Sequence, residues 1–337
     1  MKKKALLIVI VLFTLLALLS CELFLEKPPK PTIHALVIGL DYKNNFEFDD
    51  PSEPYPDDDL NGTINDAKEI AAALYRRGEE MGTEVKVTFM LQEGTTPLPD
   101  TVAQAEADYP LYPIIENIET QLQRINNEMT DNDILLVYYA GHGYGGPTTP
   151  EQYQGALALA ETKEAIGEPV KVEVLQATLA TIKGTKLLIM DSCYSGAHET
   201  EYPTSPPDDD NASVHLVYDP SQFYLLASAP DELSWELAGA ETHGYFTGQV
   251  LENLGWEHED STEIEVYDPD TGTRTETIVG NIAAGSEAPI ERNGTIFLGD
   301  LFANIPIHTA SDGGTRVNQT PQTGNGPLDL VLFSEHW

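Results

Sequence analysis

The chain has 337 residues, with 55 Asp and Glu against 18 Lys and Arg and a formal net charge of −37. That imbalance repels polyanions, so it excludes nucleic acid and anionic lipid headgroups as ligands, and it suits basic substrates or divalent cations. The length allows one large domain or two ordinary ones.

In chain order, Lys2, Lys3 and Lys4 precede an apolar run over residues 5–19. The run has signal-peptide length and falls short of the ~20 apolar residues that a membrane span needs. Leu18-Leu19-Ser20-Cys21 reads as a bacterial lipobox, with residues 1–20 removed and Cys21 lipidated. This predicts a lipoprotein of a bacterial envelope, held to a membrane by its N-terminal lipid. Loss of three lysines takes the charge from −37 to −40. Residues 21–31, with Lys27-Pro28-Pro29-Lys30-Pro31, form a stiff spacer.

A single domain is expected over 32–337. Residues 33–40 read as a buried strand, with His34 structural, followed by an acidic loop over 41–59. Ile64, Ala67, Ile70, Ala71 and Leu74 repeat at helical spacing within 61–77, and 85–91 is a second strand. Residues 93–110 read as loop and 114–129 as a helix. The apolar strand 133–140 then ends in Gly141-His142-Gly143. A loop over 145–153, a short strand at 156–160 and a helix at 170–182 lead to the strand Leu187–Met190. An acidic, Pro-rich loop spans 199–212, and strand 223–227 runs into 228–236. A helix is expected at 243–254. Alternation around Asp268-Pro269-Asp270-Thr271-Gly272 predicts a hairpin, read as an insertion over 259–290. A short helix at 298–307, a loop at 313–326 and a strand at 328–333 complete the chain. Alternating strands and helices give an α/β fold, a mostly parallel central sheet with helices on both faces.

Two of these strand ends carry chemistry. Cys193 lies just past Leu187–Met190, and with Cys21 lipidated it is the one thiol of the mature chain. His142 lies just past 133–140, 51 residues earlier, which leaves room for a crossover between neighbouring parallel strands. An imidazole beside a thiol makes acyl transfer feasible. The backbone N–H groups of Gly143 and Cys193 are candidates for the oxyanion hole. Asp191, two residues before the cysteine, suits a cationic side chain. Asp66 is either a cap of the first helix or a binding residue. One thiol and seven further histidines show no zinc-ligand spacing, so no metal site is assigned. Calcium stays open as a ligand of acidic loops such as Asp208-Asp209-Asp210, without EF-hand spacing.

The stretches Val137-Tyr138-Tyr139-Ala140-Gly141-His142-Gly143 and Asp191-Ser192-Cys193-Tyr194-Ser195-Gly196 resemble those of caspase-fold cysteine peptidases, closest to bacterial metacaspase-like members. In caspases the histidine lies about 50 residues before the cysteine. Residues 62–67 and Asn318-Gln319-Thr320-Pro321-Gln322 add to the likeness. The resemblance implies a three-layer caspase-like fold and a His142–Cys193 dyad. It also implies an acidic pocket of Asp66 and Asp191 for arginine or lysine before the cleaved bond of a protein or peptide substrate. Tyr194 stands where the family often has histidine, and Ala140 where it often has serine. Some metacaspases are activated by calcium, but their aspartate cluster has no residue-by-residue match here. The alternative is an inactive caspase-fold binding or scaffold lipoprotein.

Overall fold

The computed structural model describes residues 30–43, 59–147, 149–150, 153–164, 169–197, 221–237, 243–302, 305–312, 315–324 and 329–337. The expected signal peptide, Cys21, most of the spacer and the acidic loop with Asp208-Asp209-Asp210 lie outside them. Pro31–His336 forms one compact unit.

The strands are β1 (Ile33–Leu40), β2 (Val85–Gln92), β3 (Ile134–Ala140), β4 (Thr185–Asp191), β5 (Gln222–Leu226), β6 (Glu236–Leu237), β7 (His243–Gly244), β8 (Glu257–Asp268), β9 (Gly272–Asn281), β10 (Thr295–Phe297), β11 (His308–Asp312), β12 (Thr315–Gln319), β13 (Gln322–Gly324) and β14 (Val331–Ser334). The helices are α1 (Thr63–Met81), α2 (Val102–Asp108), α3 (Ile115–Glu128), α4 (Val172–Ala180), α5 (Tyr245–Leu254) and α6 (Leu298–Leu301).

The main sheet has the order β13-β5-β4-β3-β1-β2-β8-β9. It is parallel from β5 to β8, and β13 and β9 close its two edges antiparallel. β1 and β3 are buried along their whole length, because a parallel strand is covered on both faces and so tolerates an unbroken apolar run. Successive side chains divide between two cores. Ile33, Ala35 and Val37 pack with Ala67, Ile70 and Leu74 of α1 and with Phe246 and Leu251 of α5. Leu36, Ile38 and Leu40 pack with Ile118 and Leu122 of α3 and with Leu175 and Leu179 of α4. This is the expected three-layer α/β arrangement.

The elements depart from the sequence reading in several places, the helix expected at 298–307 among them, since α6 ends at Leu301. The hairpin is present, but it extends the main sheet: β8 pairs with β2 at Val87 and Val266, and Ile264, Val266 and Ile278 are core residues. Residues 93–110 contain α2, capped by the Thr101 hydroxyl. The expected strand at 156–160 reduces to bridges from Leu157 to Gly143 and Val170. Within 313–326, β12 pairs with β11 and β13 joins the edge of the main sheet. Short polar strands of this kind have no apolar alternation to announce them.

Candidate active site

β3 and β4 run parallel with Ala140 opposite Asp191. The residues two beyond each pair member, His142 and Cys193, therefore leave the sheet at one level. They do so at the carboxyl edge, where open α/β sheets build their sites. Both line a cavity of about 40 Å³, shared with Thr63, Asp66, Asp191, Ser234, Glu236 and Gly244. At roughly 10–15 Å³ per water this is room for a few solvent molecules. A larger cavity of about 590 Å³ lies near the start of β1 and β2, between His34, Lys86, Arg124 and Tyr267. Its lining holds no nucleophilic thiol, so chemistry rather than size locates the site.

The histidine loop is seated by two tyrosines. Tyr42, just past β1, is buried and takes a left-handed backbone with φ 59°. Its hydroxyl accepts the His142 backbone N–H at 2.8 Å and donates to the Ala158 carbonyl at 2.9 Å. Its ring centroid lies 4.6 Å from the imidazole. The Tyr139 hydroxyl donates to the His142 carbonyl at 2.8 Å. Tyr194, directly after Cys193, also has φ 59°. Strained backbone of this kind persists where surrounding contacts over-determine it, and it clusters at active sites. A Cβ on Gly143 would come within 2.1 Å of the Cys193 carbonyl oxygen. Glycine is what lets the histidine loop lie against the Cys193 turn.

Cys193 is partly buried, and its thiol donates to the Ser234 carbonyl at 3.7 Å. Burial pushes the thiol up from its ordinary value, and the Asp191 carboxylate adds to the rise.

Both sequence-predicted carboxylates reach this cavity. Asp66 is not a cap: the N-cap of α1 is Gly62, with no side-chain hydrogen bond. Asp66 Oδ1 lies 2.7 Å from His243 Nδ1, and Oδ2 accepts the Gly244 N–H at 2.9 Å. Asp191 Oδ1 accepts the Ser234 hydroxyl at 2.6 Å, and Oδ2 accepts the Thr247 N–H at 3.1 Å and hydroxyl at 2.6 Å. Gly244 is wedged between the two, since a Cβ there would lie 2.2 Å from Asp191 Oδ2 and 3.2 Å from Asp66 Oδ2. Burial pushes the Asp66 carboxyl well up, and Asp191 beside it pushes further. Burial also raises Asp191 against its hydrogen bonds from Ser234 and Thr247.

The segment after β5 is held from behind by Gln319, which is fully buried. Its Nε2 donates to the Ala227 carbonyl and the Ser234 hydroxyl, each at 3.1 Å, and its Oε1 accepts the Trp235 N–H at 3.0 Å. Sequence reasoning missed Tyr42, Ser234, His243, Gly244 and Thr247. Only Ser234 carried a signal, its place in a polar run after an apolar strand.

A family model described as the caspase domain matches residues 32–268. No curated protein matches the chain. Among solved structures, the crystal structure of a protein from Geobacter sulfurreducens is 17% identical, covering 77% of this chain and 96% of that one, with a TM-score of 0.40. With the match spanning more than half of its length, and the sheet and strand-end residues in place, the chain belongs to the caspase-domain family of cysteine peptidases.

Proposed function

We propose that the chain is a cysteine endopeptidase that hydrolyses peptide bonds after arginine or lysine, with Cys193 as nucleophile and His142 as general base and acid. The carrying observation is the register of β3 and β4, which brings imidazole and thiol to one level at one cavity. The thiol is raised by burial, so His142 removes its proton as Sγ attacks the carbonyl carbon. The oxyanion is stabilised by the Gly143 and Cys193 backbone N–H groups. The imidazolium then gives its proton to the leaving amine. His142 next deprotonates the water that releases the acyl group and restores the thiol.

The basic preference rests on Asp66 and Asp191. They are two buried carboxylates around one glycine, each raised by burial and too little compensated by positive charge. An ionised carboxylate has about four acceptor sites, so the bonds each makes leave capacity for a guanidinium or ammonium. Bringing in a cation offsets the cost of two buried negative charges. The N-terminal pattern of residues 1–21 supports anchoring of this domain to a bacterial envelope membrane through lipid on Cys21.

The test is hydrolysis of two peptides that differ only in arginine or aspartate before the scissile bond, with and without calcium, and with Cys193→Ala as control. Cleavage after arginine that vanishes in Cys193→Ala is the expected result. Turnover surviving that substitution rules out the nucleophile, and preference for aspartate rules out the acidic pocket. A buried, raised thiol is also what the scaffold reading expects. No turnover, with Cys193 inert to an alkylating probe, would favour a non-catalytic binding protein.

A further inference from the structure

Behind the cavity, on the far side of Asp66, three metal-binding side chains converge from separate elements: Glu69 of α1, His243 of β7 and His258 of β8. One ligand atom from each lies within 4.8 Å of the others. Glu69 Oε2 is 3.2 Å from His258 Nδ1 and 3.8 Å from His243 Nε2, and the two imidazole centroids are 5.0 Å apart. Ligand atoms around a tetrahedral zinc ion sit about 3.3 Å from one another, given Zn–N and Zn–O bonds of about 2.0–2.2 Å. The cluster is slightly open relative to that, and the half-exposed His258 ring borders solvent, where an ion would enter.

The second observation is His243 Nε2, a buried ring nitrogen with no hydrogen-bond partner. Its distance to Glu69 is too long for a hydrogen bond. The other ring nitrogen lies 2.7 Å from Asp66 Oδ1; with Nδ1–H donating to an ionised Asp66, the state that a bound cation would favour, Nε2 carries the lone pair on the side of the cluster. Metal-ligating histidines characteristically donate their second N–H to a carboxylate, and ligating carboxylates are themselves hydrogen-bonded. Both features are in place, since Trp256 Nε1 donates to Glu69 Oε2 at 2.7 Å.

We propose that Glu69, His243 and His258 form a binding site for a divalent transition metal of the zinc class, with Asp66 as the outer partner of His243. Two imidazoles and one carboxylate suit zinc, whereas calcium takes six to eight oxygens. One dication with Glu69 and Asp66 ionised is neutral overall, which a largely buried group of this composition requires. The fourth position is open to water. Binding does not depend on peptidase activity, though it joins the metal through His243 to a carboxylate of the cavity.

The test is titration of the full chain, freed of metal by a chelator, with ZnCl₂ and with CoCl₂ alone. Each is run on the native protein and on Cys193→Ala, which removes the dyad as a competing thiol site. One ion per chain in both proteins is expected, with cobalt giving a visible d–d absorption and no thiolate charge-transfer band. His258→Gln alters a half-exposed residue and is expected to weaken binding at least tenfold. Asp66→Asn is expected to weaken it about 10- to 100-fold. No bound ion at submillimolar free metal overturns the site. So does binding that disappears in Cys193→Ala or is unchanged in His258→Gln.

Discussion

Burial raises the Cys193 thiol, and Asp191 beneath it pushes in the same direction. The contact to the Ser234 carbonyl is one that only the protonated form makes. The site therefore holds a thiol rather than a standing thiolate, and the proposed mechanism needs a base to activate it. The sign is definite: a raised value keeps the proton on to higher pH, so alkylation by iodoacetamide should climb with pH later than for free cysteine, whose midpoint is about 8.5. A midpoint below that of a cysteine peptide run alongside would contradict this. Gly143 gives a second residue-level prediction. With a Cβ placed 2.1 Å from the Cys193 carbonyl, Gly143→Ala forces the two turns apart and withdraws the proposed oxyanion donor. We expect kcat to fall about 10²–10³-fold, with Cys193 alkylation retained; an unchanged kcat would remove Gly143 from the mechanism. His142 and Cys193 were legible in the sequence because each follows an unbroken apolar strand. Asp66 was ambiguous because its partner, His243, lies 177 positions away in sequence. Pairing at that separation leaves no local pattern.

At the scale of elements, β12 and the turn after it act as a clamp on the polar segment that follows β5. Gln319 bonds Ala227, Ser234 and Trp235, and the Glu232 carboxylate accepts from the Thr320 N–H and, at 3.0 Å, from the Thr320 hydroxyl. Ser234 in turn holds both Cys193, through its carbonyl, and Asp191, through its hydroxyl. Gln319→Ala takes a partner from the buried Ala227 carbonyl and from the partly buried Ser234 hydroxyl and Trp235 N–H. One such group costs about 1–3 kcal/mol, so denaturant unfolding should show at least that loss. KM for the arginine peptide should rise more than kcat falls, because the clamp reaches Asp191 through a 2.6 Å hydrogen bond and the Cys193 thiol only through a 3.7 Å contact. Equal damage to a peptide with a neutral residue before the scissile bond would make the effect merely structural. The buried parallel strands β1 to β4 and the helices α1 and α3 were legible from runs and periods. The clamp was not: 313–326 reads as loop because its strands are short and polar, held by side chains of a distant segment. The same holds for the Glu69, His243 and His258 cluster, whose members show no ligand spacing and meet only because the hairpin extends the sheet beside α1.

The molecule as a whole carries −37, and the placement of that charge along the chain bears on its substrate. Residues 44–58 and 198–220 are acidic and contain neither lysine nor arginine. In sequence they directly follow Lys43 and Ala197, and the described residues Tyr42 and Cys193 lie at the carboxyl edge of the sheet. A field of one sign around a cleft raises association rates of oppositely charged ligands by roughly 10–10³-fold, and salt removes the effect. The Debye length shrinks from about 30 Å at 0.01 M to about 8 Å at 0.15 M. Over that range the chain's net negative charge ceases to act at a distance, while the buried pair Asp66 and Asp191 is screened much less. For a peptide rich in lysine and arginine, kcat/KM should thus fall several-fold with salt while the preference for arginine over a neutral residue persists. A peptide with a single arginine and otherwise neutral residues should lose far less. If salt instead erased the preference and left the rates alone, specificity would reside in long-range charge, and the buried carboxylates would be structural.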